Sequence, residues 1–168
     1  MVRRFGLGGA ARQSEVRALA SDYRTVLQTG LDDYLDKLLA VRAFYNASHE
    51  VDADEFAVFT RQITQGDDDT MRLVWSPRVT RDERAAFERQ ARAAGFTDFH
   101  IRTWAPADPM AISPPRDEYF PILYSTVASK RTATFGTDLN SERVRSDAIR
   151  RARDSDKIAT AQGIMLRN

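Results

Sequence analysis

One uninterrupted apolar pattern dominates the first third of the sequence. Between Arg12 and Ser48 there is no proline, and the only glycine is Gly30. Within this stretch, apolar residues recur at spacings of three and four: Leu19, Tyr23, Leu27, Leu31, Tyr34, Leu38, Val41 and Tyr45. This spacing places them on one face of a helix. At 1.5 Å per residue the helix is on the order of 55 Å long, which exceeds the diameter of a small domain.

A helix of this length allows two interpretations. It is either a dimerisation stalk that also carries a signal towards a membrane span, or a core helix that packs along its whole length. Because the remaining residues are too few to cover it, we expect its C-terminal half to pack on the domain and its N-terminal half to project. The glycine-rich residues 1–11 are predicted to be a disordered tail. The predicted organisation is therefore a tail at 1–11, a stalk helix at 12–50 and a lobe at 51–168.

Short helices and strands are predicted between residues 51 and 104. Two helices begin with capping signals, Asp52 with Glu55 and Thr80 with Glu83. The predicted elements are a helix from Val51 to Gly66, a strand from Met71 to Trp75, a helix from Thr80 to Gly95 and a strand from Phe96 to Trp104. The core-facing residues expected in the first of these helices are Phe56, Phe59 and Ile63. A proline-rich loop, Ala105 to Asp117, follows, and loops of this length often carry function.

The stretch from Glu118 to Leu166 is predicted to contain three strands and one helix. The strands are Tyr119 to Val127, Thr132 to Thr137 and Ile158 to Leu166, and the helix runs from Leu139–Ser141 to Asp156. Strands that flank helices, with hairpin-like neighbours, favour an antiparallel sheet of the PAS type. Asp138 lies where the second strand ends and the helix begins.

Composition gives little support to catalysis. The chain has 25 basic and 24 acidic residues and no cysteine, so neither a nucleic-acid partner nor thiol chemistry is indicated. Its two histidines, His49 and His100, lack zinc-site spacing, and there is no Gly-x-Ser-x-Gly elbow or phosphate-binding loop. Asp67–Asp69 are three adjacent carboxylates, which indicate a solvated turn rather than a metal site. We therefore expect no enzymatic activity, no cofactor and no metal.

A small-molecule site has more support. Ligand pockets combine aromatic walls with a few polar groups. The candidates for the walls are Trp75, Tyr119, Phe120 and Tyr124, with Tyr124 the strongest, and the candidates for the orienting charge are Asp138 and Arg102. Each also has a structural alternative, because aromatic residues commonly pack in the core and an aspartate at a turn commonly caps it. Trp104 beside the proline loop either shields an opening or packs.

Four stretches of the sequence resemble the CHASE domain. They are VWSPRVTRDERAAFERQARAAGF, YFPILY, FGTDL and VRSDAIRRARDSDKIATAQGIML, and they follow one another in the family's order within residues 71–166. CHASE domains are extracytoplasmic sensing modules of histidine kinases and of nucleotide or diguanylate cyclases. The resemblance implies a long helix followed by PAS-like sensor lobes. It also implies that Asp138, in the aromatic-x-x-Asp-Leu turn, holds a ligand and that Thr160 contacts the ligand through its backbone.

The resemblance also changes the expected location of the protein. No stretch approaches the roughly 18 apolar residues of a membrane span, and no secretory signal is present, which alone would indicate a cytoplasmic protein. CHASE domains lie between two membrane spans. The resemblance therefore implies a periplasmic ectodomain of an inner-membrane protein, with flanking spans outside this sequence.

From these observations we expect an α+β fold: a long N-terminal helix followed by a PAS-like antiparallel-sheet sensor lobe. The lobe is expected to be truncated, because family members continue past Leu166 with further strands. The predicted function is small-molecule sensing for a bacterial membrane receptor, and the alternative is a ligand-free interaction and dimerisation domain. A homodimer through the N-terminal helix is expected. The predicted ligand-binding residues are Asp138, Thr160, Tyr124, Tyr119, Trp75 and Arg102.

Overall fold

The computed structural model describes residues 7–65, 72–103, 108, 111–126 and 135–161, with side chains described from residue 12 onwards. The chain divides into two units, Met1–Asp52 and Ala53–Asn168. The predicted long N-terminal helix and the α+β class are confirmed. The PAS-like label for the lobe stays a prediction.

The first unit contains one long helix, α1, from Leu7 to Ala47. Leu7–Ala11 were expected in the tail, but they are helical because glycine weakens a helix without breaking it and two alanines follow. Polar i,i+4 pairs stabilise the surface of α1; for example, Gln28 Nε2 donates to Asp32 Oδ1 at 2.9 Å. Much of the apolar face is exposed, including Val16, Leu19, Tyr23, Val26, Leu27, Leu31, Tyr34 and Leu39.

The second unit, which we call the lobe, contains three α-helices, one 3₁₀ turn and four short strands among its described residues. The helices are α2 (Ala53–Thr64), α3 (Arg84–Ala93) and α4 (Arg143–Ser155), and the 3₁₀ turn is Leu139–Ser141. The strands are β1 (Val74–Trp75), β2 (Val79–Thr80), β3 (Glu118–Tyr119) and β4 (Tyr124–Ser125). Antiparallel pairs form between β1 and β4 and between β2 and β3.

Single β-bridges join three further segments to these strands. Arg102 pairs with Ile112 in antiparallel and with Thr137 in parallel, and Pro121 pairs with Asp138 in antiparallel. Short backbone hydrogen bonds support these bridges, such as Arg102 N–H to the Gly136 carbonyl and Asp138 N–H to the Arg102 carbonyl, both at 2.8 Å. The segment around Asp138 therefore lies between the segment before β4 and the segment of Arg102.

The core of the lobe is a single apolar cluster between α3 and these strands. Its buried members are Val79, Ala91, Phe96, Phe99, Ile101, Tyr119, Ile122 and Phe135. Phe96 is central to it, because its ring contacts those of Phe99, Phe135 and Tyr124 at centroid distances of 5.1–6.3 Å. Edge-to-face and tilted contacts of this kind stabilise aromatic clusters beyond their buried area.

Helix α2 buries a different face from the one predicted. Phe56 is buried as expected, but the other fully buried residues are Thr60 and Thr64, whereas Phe59 and Ile63 are half-buried. Both threonine hydroxyls donate to carbonyl oxygens one turn earlier, at 2.7 Å to Phe56 and 3.0 Å to Thr60. Because these bonds satisfy the hydroxyl protons locally, threonine is tolerated in the interior.

Two predicted strands are shorter than expected. The stretch from Phe96 to Trp104 turns at Phe96–Phe99, and its described residues contribute only the bridges of Arg102; Phe99, Ile101 and Arg102 are buried and His100 is exposed. Tyr119–Val127 splits into β3 and β4, since Pro121 has no N–H to donate.

The predicted strand at Ile158–Leu166 is described as far as Ala161, and that part is not paired in a sheet. Several predicted features lie outside the described residues: Met71 and Asp67–Asp69, Trp104, Val127, Thr132–Thr134 and residues 162–166. The helix near the end of the chain agrees with prediction, since α4 ends where Asp156 adopts a left-handed conformation with φ of 53°.

We expect Gly136→Ala to destabilise the lobe. Gly136 has a φ of 80°, and a Cβ there would lie 2.0 Å from the carbonyl oxygen of His100. Because backbone and not a flexible side chain is in the way, the unfolding free energy should fall by at least about 2 kcal/mol. Denaturation followed by tryptophan fluorescence measures this, since both tryptophans lie in the lobe.

Gly30→Ala is the matched control, because a Cβ at Gly30 meets no atom within 4 Å. It lies inside α1 and should leave the tryptophan-monitored transition unchanged. If Gly136→Ala unfolds at the same denaturant concentration as this control, the close packing of the Gly136 backbone against the His100 backbone is contradicted.

Candidate functional site

Asp138 lies at the start of the 3₁₀ turn and is fully buried. Its Oδ1 accepts two backbone hydrogen bonds, from the N–H of Phe120 at 2.8 Å and from the N–H of Asn140 at 3.0 Å. The first bond holds the turn against the segment after β3, and the second caps the turn itself. One oxygen of Asp138 therefore has the structural role that its position in the sequence allows.

The other oxygen, Oδ2, is buried and accepts no hydrogen bond from the described residues. Its nearest cation is Arg116, whose Nε lies 3.9 Å away, too far for a hydrogen bond. Arg116 Nε is itself buried and without an acceptor among the described residues. Burial raises the pKa of Asp138 above its ordinary value, against the opposing effects of the two backbone bonds and of Arg116 and Arg84.

Tyr119 lies beside this turn and connects the proline-rich loop to α3. Its ring is buried, and its hydroxyl accepts from Arg116 N–H at 2.8 Å and from Arg84 Nη1 at 3.2 Å. The hydroxyl also lies 3.3 Å from the Pro114 carbonyl, to which it donates. Arg84 also lies over the tyrosine ring, with its guanidinium carbon 4.9 Å from the ring centroid.

Arg84 is the centre of a partly buried polar network that we call the Arg84 network. It donates to the carbonyl oxygens of Ser113 at 2.8 Å and of Ile101 at 3.2 Å, and to Glu88 Oε1 at 3.0 Å. Glu88 Oε1 also accepts the N–H of Ile101 at 3.0 Å. Burial opposes the charge of Glu88, but the Ile101 N–H and Arg84 outweigh it and hold the pKa of Glu88 below its ordinary value.

Trp75 and Tyr124, predicted as pocket walls, are directly opposite each other on β1 and β4. Both are half-buried. The Tyr124 ring contacts the rings of Phe56 on α2 and of Phe96, at centroid distances of 5.6 and 6.3 Å. These contacts make Tyr124 part of the aromatic packing while leaving a fraction of its surface exposed.

Thr160 is hydrogen-bonded to α4, and Arg102 contacts Asp138 through the backbone, where the Asp138 N–H donates to the Arg102 carbonyl at 2.8 Å. Thr160 is exposed, and its carbonyl oxygen accepts from Arg151 Nη2 of α4 at 2.7 Å. Arg102 pairs with Thr137, and since successive residues of an extended segment point to opposite faces, its side chain projects away from that of Asp138. The structure brings Asp138 close to Tyr119 and Phe120, and Trp75 close to Tyr124, but it does not gather all six predicted residues.

Three polar residues were absent from the sequence prediction: Arg116 beside Asp138, and Arg84 and Glu88 of the Arg84 network. Arg84 and Glu88 are one helical turn apart, a spacing that the sequence does contain but that is common on exposed helices. Arg116 lies in the proline-rich loop, whose path the sequence does not reveal. Within the described residues, no group of three or more His, Cys, Asp or Glu side chains is placed to hold a metal ion.

We expect the effect of Asp138 on stability to depend on pH. An aspartate in an unfolded chain titrates near about pH 3.9. Since the pKa is higher in the fold, the stability that Asp138 contributes is fully present below about pH 3.9 and is lost as the pH rises through the folded-state pKa. Asp138→Asn keeps a carbonyl oxygen for the two backbone donors and cannot ionise. The unfolding free energy of the parent should therefore fall relative to that of Asp138→Asn as the pH rises from about 4.

Denaturant titrations of both proteins at a series of pH values measure this difference. Glu88 and Glu118 have lowered pKa values and give the opposite trend, but they are common to both proteins and cancel in the comparison. If the difference in unfolding free energy between the parent and Asp138→Asn is the same at every pH, burial does not raise the pKa of Asp138.

Comparison with known protein families identifies the family of this chain. A model of the CHASE domain matches residues 49–168, which is well over half of the chain. A search of curated proteins gave no match. None of the described helices has the length and apolar content needed to cross a membrane. The family match confirms the resemblance seen in the sequence: the chain belongs to the CHASE family, the extracytoplasmic sensor domains of membrane signalling receptors.

Proposed function

We propose that this chain is the periplasmic small-molecule-sensing domain of a bacterial inner-membrane receptor, either a histidine kinase or a diguanylate cyclase, and that Asp138 binds the ligand. The observation that supports the site is the buried Oδ2 of Asp138, which has no hydrogen-bond donor among the described residues. Buried carboxylate oxygens are normally hydrogen-bonded, because an unmet one retains the full cost of losing water. A ligand N–H or O–H would supply the missing bond.

The two oxygens of Asp138 separate the structural role from the binding role. Oδ1 is occupied by Phe120 and Asn140, which fixes the direction of the carboxylate. Oδ2 is held in place without being used, as a preformed acceptor. A ligand that reaches this buried oxygen therefore meets an acceptor whose direction is already fixed.

The residues around Asp138 offer a route by which binding could be transmitted. Arg116 is attracted to Asp138 across 3.9 Å, and its backbone N–H is held by the Tyr119 hydroxyl. Tyr119 in turn contacts Arg84 on α3. A ligand that neutralises Oδ2 weakens the pull on Arg116, and we propose that the resulting shift of the proline-rich loop reaches α3 through Tyr119. Tyr119 would then position the site, whereas Trp75 and Tyr124 remain the proposed walls and Thr160 a proposed backbone contact.

We expect Asp138→Asn to lose the ligand while retaining the fold. The amide nitrogen replaces Oδ2 by a donor, so a donor of the ligand meets a donor of the protein. Loss of one charged hydrogen bond costs about 1.5–3 kcal/mol, which is more than tenfold in affinity. Native mass spectrometry of parent and variant, both purified from the native host, should show a bound small molecule in the parent alone.

Asp117→Asn is the matched control, because Asp117 carries the same side chain almost fully exposed and paired with Arg81. This control should retain the ligand. Equal ligand occupancy in Asp138→Asn and in the parent would remove Asp138 from the site.

The exposed apolar face of α1 favours a second proposal, a homodimer through this helix. Leu27 is 73% exposed and Leu31 is 51% exposed, although both belong to the regular apolar stripe. A stripe of this length on one helix is the pattern that pairs with a second helix. We propose a second copy of the chain as the partner; without a ligand site, dimerisation would be the main role of the domain.

Replacing both Leu27 and Leu31 by Glu should shift the protein to monomer in analytical ultracentrifugation, because two charges per helix would face each other in an apolar contact. Thr25→Glu with Thr29→Glu is the matched control, since these positions have the same spacing on the opposite face of α1. The control should sediment like the parent. A parent that is monomeric at millimolar concentration would rule out the homodimer.

A further inference from the structure

Arg102 is a buried cation without an acidic partner among the described residues. Its side chain lies in the lobe with only 7% of the residue exposed. Its guanidinium has five N–H groups, and among the described residues it forms one hydrogen bond, from Nη2 to the Asp98 carbonyl oxygen at 2.7 Å. The buried Nε has no acceptor among the described residues. No carboxylate of the described residues forms an ion pair with it.

This arrangement is costly for an arginine that serves only the fold. Buried charges are almost always paired, because the loss of water is otherwise uncompensated. The other buried arginine nitrogen without a hydrogen bond belongs to Arg116, which has Asp138 close by. Outside the described residues, the stretches 104–107, 109–110, 127–134 and 162–168 contain no Asp or Glu, whereas 66–71 contains Asp67–Asp69.

The neighbours of Arg102 indicate what kind of ligand could supply the missing negative charge. Its two bridge partners are Ile112, which is 55% exposed, and Thr137, which is buried. Side chains of bridged residues lie next to each other on the same face. Arg102 is therefore flanked by an exposed apolar side chain on one side and by a hydroxyl on the other.

We propose that Arg102 binds the carboxylate of a small organic anion whose apolar body lies against Ile112. The guanidinium matches a carboxylate with two parallel hydrogen bonds, and Thr137, the bridge partner of Arg102, carries a hydroxyl that could add a third. A phosphate carries more charge and normally takes several donors, which this face does not offer among the bridge partners of Arg102. The site is on the opposite face of the segment from Asp138 and is independent of the function proposed for Asp138.

Sodium butyrate is a suitable probe, since it combines a carboxylate with a short apolar chain. Butyrate is titrated into the parent at constant ionic strength, with chloride as the balancing anion, and the thermal unfolding midpoint is followed. Inorganic phosphate and 1-butanol are titrated in parallel. We expect a saturable rise in the midpoint with butyrate and no saturable rise with phosphate or 1-butanol.

Arg102→Met removes the charge at similar volume and should raise the apparent dissociation constant for butyrate at least about tenfold. Arg81→Met is the matched control, because Arg81 is exposed and paired with Asp117, and it should bind like the parent. Arg102→Lys keeps the charge but cannot form the bidentate pair with a carboxylate, so its affinity for butyrate should lie between those of the parent and Arg102→Met.

Several results would overturn the proposal. A midpoint that rises equally in Arg102→Met and Arg81→Met would reflect a general salt effect, and a saturable response to phosphate alone would exclude a carboxylate.

The unfolding midpoint of Arg102→Met without any added anion is also decisive. If Arg102 serves a ligand, this midpoint should be no lower than that of the parent, since an unpaired buried charge has been removed. A variant that unfolds, or whose midpoint falls well below that of the parent, assigns Arg102 to the fold.

Discussion

The lobe depends on the hydrogen bonds that Arg84 makes across its core. From one turn of α3, this side chain reaches the carbonyls of Ser113 and Ile101, the Tyr119 hydroxyl and the Glu88 carboxylate. The segments it joins make only short pairings with one another, none longer than two residues among the named strands. Because the strands form so few backbone hydrogen bonds with one another, side-chain hydrogen bonds must orient the segments. A guanidinium suits this role, since it is charged and donates several hydrogen bonds in fixed directions.

The sequence predicts those parts of the molecule that follow from periodicity. The spacing of Leu19 to Tyr45 predicts α1. The family also follows from ordered motifs, because they extend over most of the lobe. In each case a pattern repeats over many residues, so one misread position does not change the conclusion.

Features that depend on a single contact could not be predicted. The burial of Thr60 and Thr64 requires hydroxyl bonds to their own helix, which apolar spacing does not register. The division of Asp138 into a capping oxygen and an unused oxygen depends on where Phe120 and Arg116 come to lie. The Arg102 and Asp138 side chains lie on opposite faces because Arg102 pairs with Thr137, and a shift of one residue in that pairing would exchange the faces.

The parallel bridge between Arg102 and Thr137 also bears on how fast the lobe can fold. The bridge from Arg102 to Ile112 closes a short loop, whereas the parallel one must bring together segments that are separated by β3, β4 and the proline-rich loop. Closing a longer loop costs more chain entropy before any contact stabilises it. The pairing of Arg102 with Thr137 should therefore form after its pairing with Ile112, whereas Asp138 can pair with Pro121 across a much shorter stretch of chain.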